Sequence, residues 1–143
     1  MLKHSKIPLW VSALMVVLLA FMSIQVYWFY FDHQSLRETG ISITGVPDLN
    51  IIYTTAGRLL AMMAATVFVI ITQNPHQYLV VLLMSIWRDG QEMFIDPLYP
   101  YANSPSAPLA DFGIHLIIVA LEVTAFIVVY KLTQTPATEA AQQ

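Results

Sequence analysis

Cysteine is missing from the chain altogether, which removes disulfides, thiolate metal sites, iron-sulfur ligation and cysteine nucleophiles together. Charge is also scarce: six Lys and Arg and nine Asp and Glu among 143 residues, for a net charge of -3. No run of like charges is present that could act as a nucleic-acid arm or an anionic-lipid patch, so no nucleic-acid partner is expected. Glycine occurs only five times. There is no Gly-rich phosphate loop, nucleophile elbow or His-Glu-x-x-His helix, and no internal repeat at a period of about 20 to 50 residues. What fills the space is apolar: 57% hydrophobic residues and a mean hydropathy of +0.65. That balance lies outside the usual soluble range and indicates an integral membrane protein of one domain's length.

The apolar residues gather into four runs, predicting an all-α, four-helix transmembrane bundle. The first extends from about Ile7 to Tyr30 behind a short tail carrying Lys3, His4 and Lys6. It is longer than the roughly 7 to 15 residues of a signal-peptide core and lacks a small-x-small cleavage site, so it reads as a retained helix. The second extends from about Tyr53 to Gln73, with Thr54 or Thr55 as N-cap. The third, from about Tyr78 to Asp96, is expected to stop against Pro97. The fourth, from about Phe112 to Leu132, has Asp111 as its expected N-cap and Lys131 where the helix dipole favours a cation. Residues 1-132 are thus read as the membrane domain and 133-143 as a disordered cytoplasmic tail.

Lys3, Lys6 and Lys131 lie on one side of this arrangement and Arg37 on the other, which predicts cytoplasmic N- and C-termini. Aromatic residues fall where interfacial anchors belong: Trp10, Tyr78 and Tyr130 at the inner surface, and Tyr27, Trp28, Tyr30, Tyr53, Tyr99 and Tyr101 at the outer one. The turn Asn74-Pro75-His76-Gln77 is so short that the second and third helices must form an antiparallel hairpin. The outer connection from Phe31 to Ile52 is too apolar for a freely solvated linker and is expected on the membrane surface or over the bundle mouth. Pro97 to Ala110, with four prolines, is expected to be extended and irregular. Gly57, Ala61 and Ala65 recur every four residues, a spacing that lets helix backbones approach closely in lipid and favours a contact with another helix of the same chain over a homodimer face.

The third run carries Arg88, Asp89, Glu92 and Asp96. Each charge at the centre of a spanning helix costs about 2.5 to 3.5 kcal/mol, against about 0.3 to 0.6 returned by each large apolar residue. This helix therefore cannot face lipid all round. Ser85, Asp89, Glu92 and Asp96 fall on one helical stripe, and Arg88 stands at the i, i+4 separation from Glu92 that permits pairing. At about 1.5 Å of rise per residue, Arg58 should be level with Glu92, and Arg88 with Asp89 should lie deeper. Glu122 falls near the bilayer middle, where an Arg88-Glu122 pair is geometrically open, and His115 shares its face. Gln25 can add an amide from the first helix. All four helices then supply a polar group to the outer half of one bundle. Three acids against two arginines imply either a protonated acid or a bound cation. No metal centre is expected: His115, Glu92 and Glu122 lack the spacing of a zinc or di-iron site.

Residues Ala56-Gly57-Arg58-Leu59-Leu60, Asn74-Pro75 and Leu83-Met84-Ser85-Ile86-Trp87-Arg88-Asp89-Gly90 resemble the middle of the small four-span bacterial proteins distantly related to DoxX, including BphX-like members. In that group a Gly-Arg pair opens the second helix and an acidic residue beside a glycine sits in the third. The resemblance covers about residues 50 to 96 and implies a four-helix bundle of the bacterial cytoplasmic (inner) membrane. It implies no catalytic residues or cofactor.

The expected role is a small binding or accessory membrane protein. Arg58 and Arg88 would orient a polar head group with Asp89, Glu92, His115, Glu122 and Gln25 around them, while Trp87, Phe94 and Tyr27 contact an apolar body such as a quinone, lipid or sterol-like molecule. The partners are then the bilayer, a hydrophobic small molecule and, for an accessory subunit, another membrane protein. The competing classes are a membrane-embedded enzyme with Glu92, Glu122 or Asp89 in acid/base roles and a structural ion network holding the helices in register.

Overall fold

A backbone in lipid must satisfy its own hydrogen bonds, and long apolar runs without interior proline do so as helices. The computed structural model describes residues 7-99 and 108-134. Five helices follow one another there, with no strand among the described residues: α1 (Leu9–Tyr30), α2 (His33–Glu38), α3 (Val46–Thr72), α4 (Pro75–Leu98) and α5 (Pro108–Gln134). Helices α1 and α3 and the Phe112–Gln134 part of α5 are long and apolar enough to cross a membrane. Helix α4 has the length, 24 residues, but its four charged side chains leave it short of the required apolarity. Of the four spans expected from the sequence, three are apolar enough to cross a membrane and the third in chain order, α4, is the charged one.

Several helix ends differ from expectation, each for a local reason. Helix α3 starts at Val46, not near Tyr53. Its N-cap is Gly45, Pro47 sits in the first turn where its missing N–H is no loss, and Asp48 complements the positive end of the dipole. Thr54 and Thr55 are interior to it, and Thr55 donates its hydroxyl to the carbonyl of Ile51. Helix α4 does not stop at Pro97 but carries it in its last turn, and the Tyr99 amide still donates to the Ile95 carbonyl at 2.8 Å. Proline there removes a single ladder bond at an end where little helix remains to be disrupted. Helix α5 begins at Pro108, so Asp111 lies within it rather than at its cap. The segment expected to be irregular is thus helical at both ends, and its middle, residues 100-107, lies outside the described residues, as do Lys3, His4, Lys6 and the tail from residue 135.

The Phe31 to Ile52 connection folds onto the bundle. Asp32 caps α2, accepting from the Ser35 hydroxyl at 2.7 Å and the Ser35 amide at 3.1 Å, and Leu36 is buried. Tyr30 and Tyr53 stack with ring centroids 5.5 Å apart. This pairing ties the end of α1 to the early turns of α3.

The apolar core lies toward the α3–α4 turn. Ile7, Val11, Met15 and Leu18 of the α1 side meet Val69 of α3, Tyr78, Val81 and Leu82 of α4, and Ala125 and Val129 of α5. A second cluster, Met22, Val26 and Leu59, joins α1 to α3 farther along. Tyr78, expected as an interfacial anchor, is fully buried. Gln73 Nε2 donates to its hydroxyl at 3.1 Å, and the Ser12 hydroxyl shares a hydrogen bond with it, also at 3.1 Å. One side chain of α4 thereby fastens α1 and the end of α3. The small-residue seam behaves differently from expectation. Gly57 and Ala61 are exposed, a side chain at Gly57 would meet nothing within 4 Å, and only Ala65 packs against the core. The close approach within the chain is made along α4 and α5 and along α1 and α3, through faces other than this stripe.

Tyr78→Ala should lower stability in detergent by about 3 to 5 kcal/mol, whereas Tyr78→Phe, which loses only the hydroxyl bonds, should lose about 0.5 to 1.5 kcal/mol. Denaturation followed by circular dichroism separates the two. A second expectation concerns pH. The Ser35 hydroxyl and amide bonds hold the Asp32 carboxyl below its ordinary value of 3.8. A folded value below the unfolded one stabilises fully above about pH 4 and is lost as pH falls through the folded value. Protection of the Ser35 amide against hydrogen exchange, corrected for intrinsic rate, should therefore fall below about pH 4.

Candidate functional site

Along α4 the buried positions run Tyr78, Val81, Leu82, Ser85 and Asp89, a stripe set by the helical repeat. It is apolar up to Leu82 and polar from Ser85 onward. On α5 the matching stripe runs Val129, Ala125 and then Glu122. Because α4 and α5 pack against each other along their lengths, both stripes change character where they meet. Asp89 is 3% exposed and Glu122 is 0% exposed.

Arg88 donates its Nε hydrogen to Asp89 Oδ1 at 2.6 Å. The expected Arg88-Glu92 and Arg88-Glu122 pairs are not the ones formed. Adjacent residues seldom face each other on a helix, but the long arginine side chain reaches back to its buried neighbour. Glu92 and Glu122 remain close enough to act on Arg88 through their charge. The guanidinium is incompletely satisfied: its Nη1 is buried without an acceptor.

Two carboxyl groups lie side by side beneath this arginine. Neither oxygen of Glu122 receives a hydrogen bond, and Asp89 Oδ2 is likewise without a donor, yet the Glu122 carboxyl lies within hydrogen-bonding reach of Asp89. Two ionised carboxylates are both acceptors and cannot bond each other; one proton between them makes the bond. Toward the C-terminal end of α4, His115 Nε2 of α5 lies 3.7 Å from Asp96 Oδ2.

The polar groups open into two clefts rather than the single chamber expected. The larger, about 840 Å³, lies between α3 and α4 and is lined by Arg58, Leu59, Met62, Trp87, Arg88 and Glu92 among others. The smaller, about 200 Å³, lies among α1, α4 and α5 and is lined by Phe21, Gln25, Arg88, Asp89, Glu92 and His115 together with three aliphatic side chains. Arg88 and Glu92 belong to both and form the partition. Gln25 and His115 thus fall on one side of the partition, Arg58 and Trp87 on the other, and the fully buried Glu122 lines neither cleft. Phe94 and Tyr27, expected to contact a ligand, line neither cleft: Phe94 packs edge-on to Phe112 and Tyr27 leans on Phe31. Sequence reasoning missed Thr55 and Gln91 of the larger cleft. Gln91 stands four residues after Trp87, on the same helical face, a spacing that could have found it. Among the described residues no group of three or more His, Cys, Asp or Glu side chains is placed to hold a metal ion.

Removing one partner of a buried pair leaves the other charge uncompensated. Asp89→Leu should therefore destabilise the protein by about 3 kcal/mol, the lower end of the range for buried pairs because part of the Arg88 side chain reaches solvent. Adding Arg88→Met to that variant should restore much of the loss, since an apolar pair of similar volume needs no desolvation. Thermal denaturation of the two variants in detergent measures both effects.

No family model, curated protein or solved structure matches the chain, so the functional reading rests on the geometry of this site.

Proposed function

We propose that the chain is a membrane-embedded binding protein for an amphipathic molecule, lipid-like or quinone-like, seated between α3 and α4. The observation that carries the reading is Arg88, whose Nη1 is buried without an acceptor and whose side chain borders a cleft of about 840 Å³. An orphaned guanidinium donor beside a cleft calls for an acceptor oxygen, which a phosphate, carboxylate or quinone carbonyl supplies. Arg58, across the cleft on α3, gives a second guanidinium for the same head group. Leu59, Met62, Leu83 and Met84 line the rest of the cleft and suit an acyl or isoprenoid body, and the exposed ring of Trp87 adds an aromatic edge.

In this reading α4 crosses the bilayer as a fourth span, with its charges turned to α5 and the clefts, and both termini face the cytoplasm of a bacterial cell. Lys131 in the last turn of α5 and Arg37 in α2 supply the charge bias. The absence of native cysteine makes orientation directly measurable. A membrane-impermeant maleimide should label Gln34→Cys from outside intact cells and His76→Cys only after the membrane is opened. Labelling of both from outside would defeat the four-span arrangement.

The binding reading is tested by extracting the purified protein and identifying what comes off by mass spectrometry, which separates phospholipid from quinone. One amphipathic molecule per chain is expected. Arg58→Ala, at an exposed position, and Arg88→Ala should each weaken its retention by about 10- to 100-fold, the loss of a charge-assisted hydrogen bond. Recovery of bulk lipid in unvarying amount from wild type and both variants would overturn the reading.

A further inference from the structure

We propose that Asp89 and Glu122 form a proton-binding site in the membrane interior, holding one proton between two carboxyl groups and exchanging it with water through the cleft among α1, α4 and α5. The site stands apart from the ligand reading, since neither residue lines the α3–α4 cleft.

Glu122 is 0% exposed with both carboxyl oxygens lacking a donor, and Asp89, 3% exposed, receives Arg88 on one oxygen and nothing on the other. A buried carboxylate without donors is among the most costly arrangements a protein can hold, and among the described residues none donates a hydrogen bond to Glu122, which has only the charge of Arg88 nearby to offset that cost. A proton on one member turns two mutually repelling acceptors into a donor and an acceptor within reach of each other. Charge balance agrees: one guanidinium and one shared proton neutralise the pair, leaving Glu92, which is half-buried and borders both clefts, outside it. A metal ion is the other way to satisfy two carboxylates, but no third ligand of the usual kinds converges on them among the described residues.

The groups facing the pair can be named element by element. Helix α4 contributes Arg88, Glu92 and, farther out, Asp96; α5 contributes His115; α1 contributes only the neutral Gln25 with apolar Leu18 and Phe21. Asp89 itself lines the small cleft, while Glu122 does not. A proton therefore enters at Asp89, where Glu92, His115 and Gln25 border the way in, and passes to Glu122 without a change in the total charge of the pair. No bond other than O–H is made or broken.

Infrared spectroscopy of the purified full chain tests this directly, because a protonated carboxylic acid has a carbonyl stretch separate from that of carboxylate. The wild-type protein at neutral pH, where free carboxyl groups are ionised, should show such a band. It should shift on transfer to deuterated water. Glu122→Gln and Asp89→Asn should each abolish it, and Glu92→Gln should leave it in place. Glu122→Gln should also melt at or above the wild-type temperature, since glutamine copies the shape of the protonated acid. Absence of the band in wild type, or its persistence in both Glu122→Gln and Asp89→Asn, would overturn the site; a band that resists deuteration would overturn the exchange route. Where a variant fails to fold, titration of the wild-type protein decides the same question: the band must persist at pH values well above about 4, the ordinary glutamate range.

Discussion

Charge that cannot face lipid governs the architecture. Helix α4 carries four ionisable groups within three turns, and a helix so loaded is stable in a bilayer only when its charged stripe is turned into protein or a wet cleft. For α4 as the proposed fourth span, that requirement fixes the rotation of the helix. With Asp89 inward, Ser85, Leu82, Val81 and Tyr78 must also face inward, and the opposite face, with Leu83 and Trp87, must look outward. Helix α5 answers with a stripe whose upper member is Glu122 and whose lower members are Ala125 and Val129. The extensive α4–α5 packing is thus apolar at one end for ordinary reasons of fit and polar at the other out of necessity. Association in lipid has little hydrophobic drive, so the polar end contributes specificity that apolar packing alone would not give.

Much of this was legible in the sequence, because charge in an apolar run is a strong signal and helical spacing turns it into a face. The stripe from Ser85 to Asp96, the inward Glu122, the α3–α4 hairpin and the position of Arg58, Gln25 and His115 beside the charged part of α4 follow from spacing alone. What spacing could not supply was competition among neighbours. Arg88 had Glu92 one turn away and Glu122 on another helix as attractive partners, yet it bonds the adjacent Asp89, a choice that helical spacing does not rank. The same limit explains Tyr78. Aromatic residues near a span end are commonly interfacial, but Ser12 and Gln73 supply polar partners that let this one go fully inside.

The helix boundaries were harder for a different reason. Gly45-Val46-Pro47-Asp48 has glycine and proline in a stretch that resembles a linker, yet the same residues are a helix start when proline falls in the first turn and an acid follows it. Pro97 shows the converse: proline stops a helix only if enough helix remains beyond it to suffer. The stripe of Gly57 and Ala61 was misjudged because small residues permit close approach without compelling it. Here the compelling interactions belong to other faces of α3, through Ile52, Ala56, Leu59, Thr66 and Val69.

Arg88 is the point at which the proposed proton site and the proposed ligand site meet. Its Nε is committed to Asp89 on one side of the partition, while its Nη1 is uncommitted, and both clefts touch it. A single guanidinium cannot serve a head-group anion and a buried carboxylate at full strength, since its charge is shared between them. Drawing it toward the α3–α4 cleft weakens its hold on Asp89, and the carboxyl pair then favours a further proton. An anionic ligand would accordingly bind together with proton uptake and more weakly as pH rises, whereas a neutral quinone, which only accepts a hydrogen bond, would leave the carboxyl pair nearly as it was. The sign and size of that pH dependence therefore report the charge of the ligand.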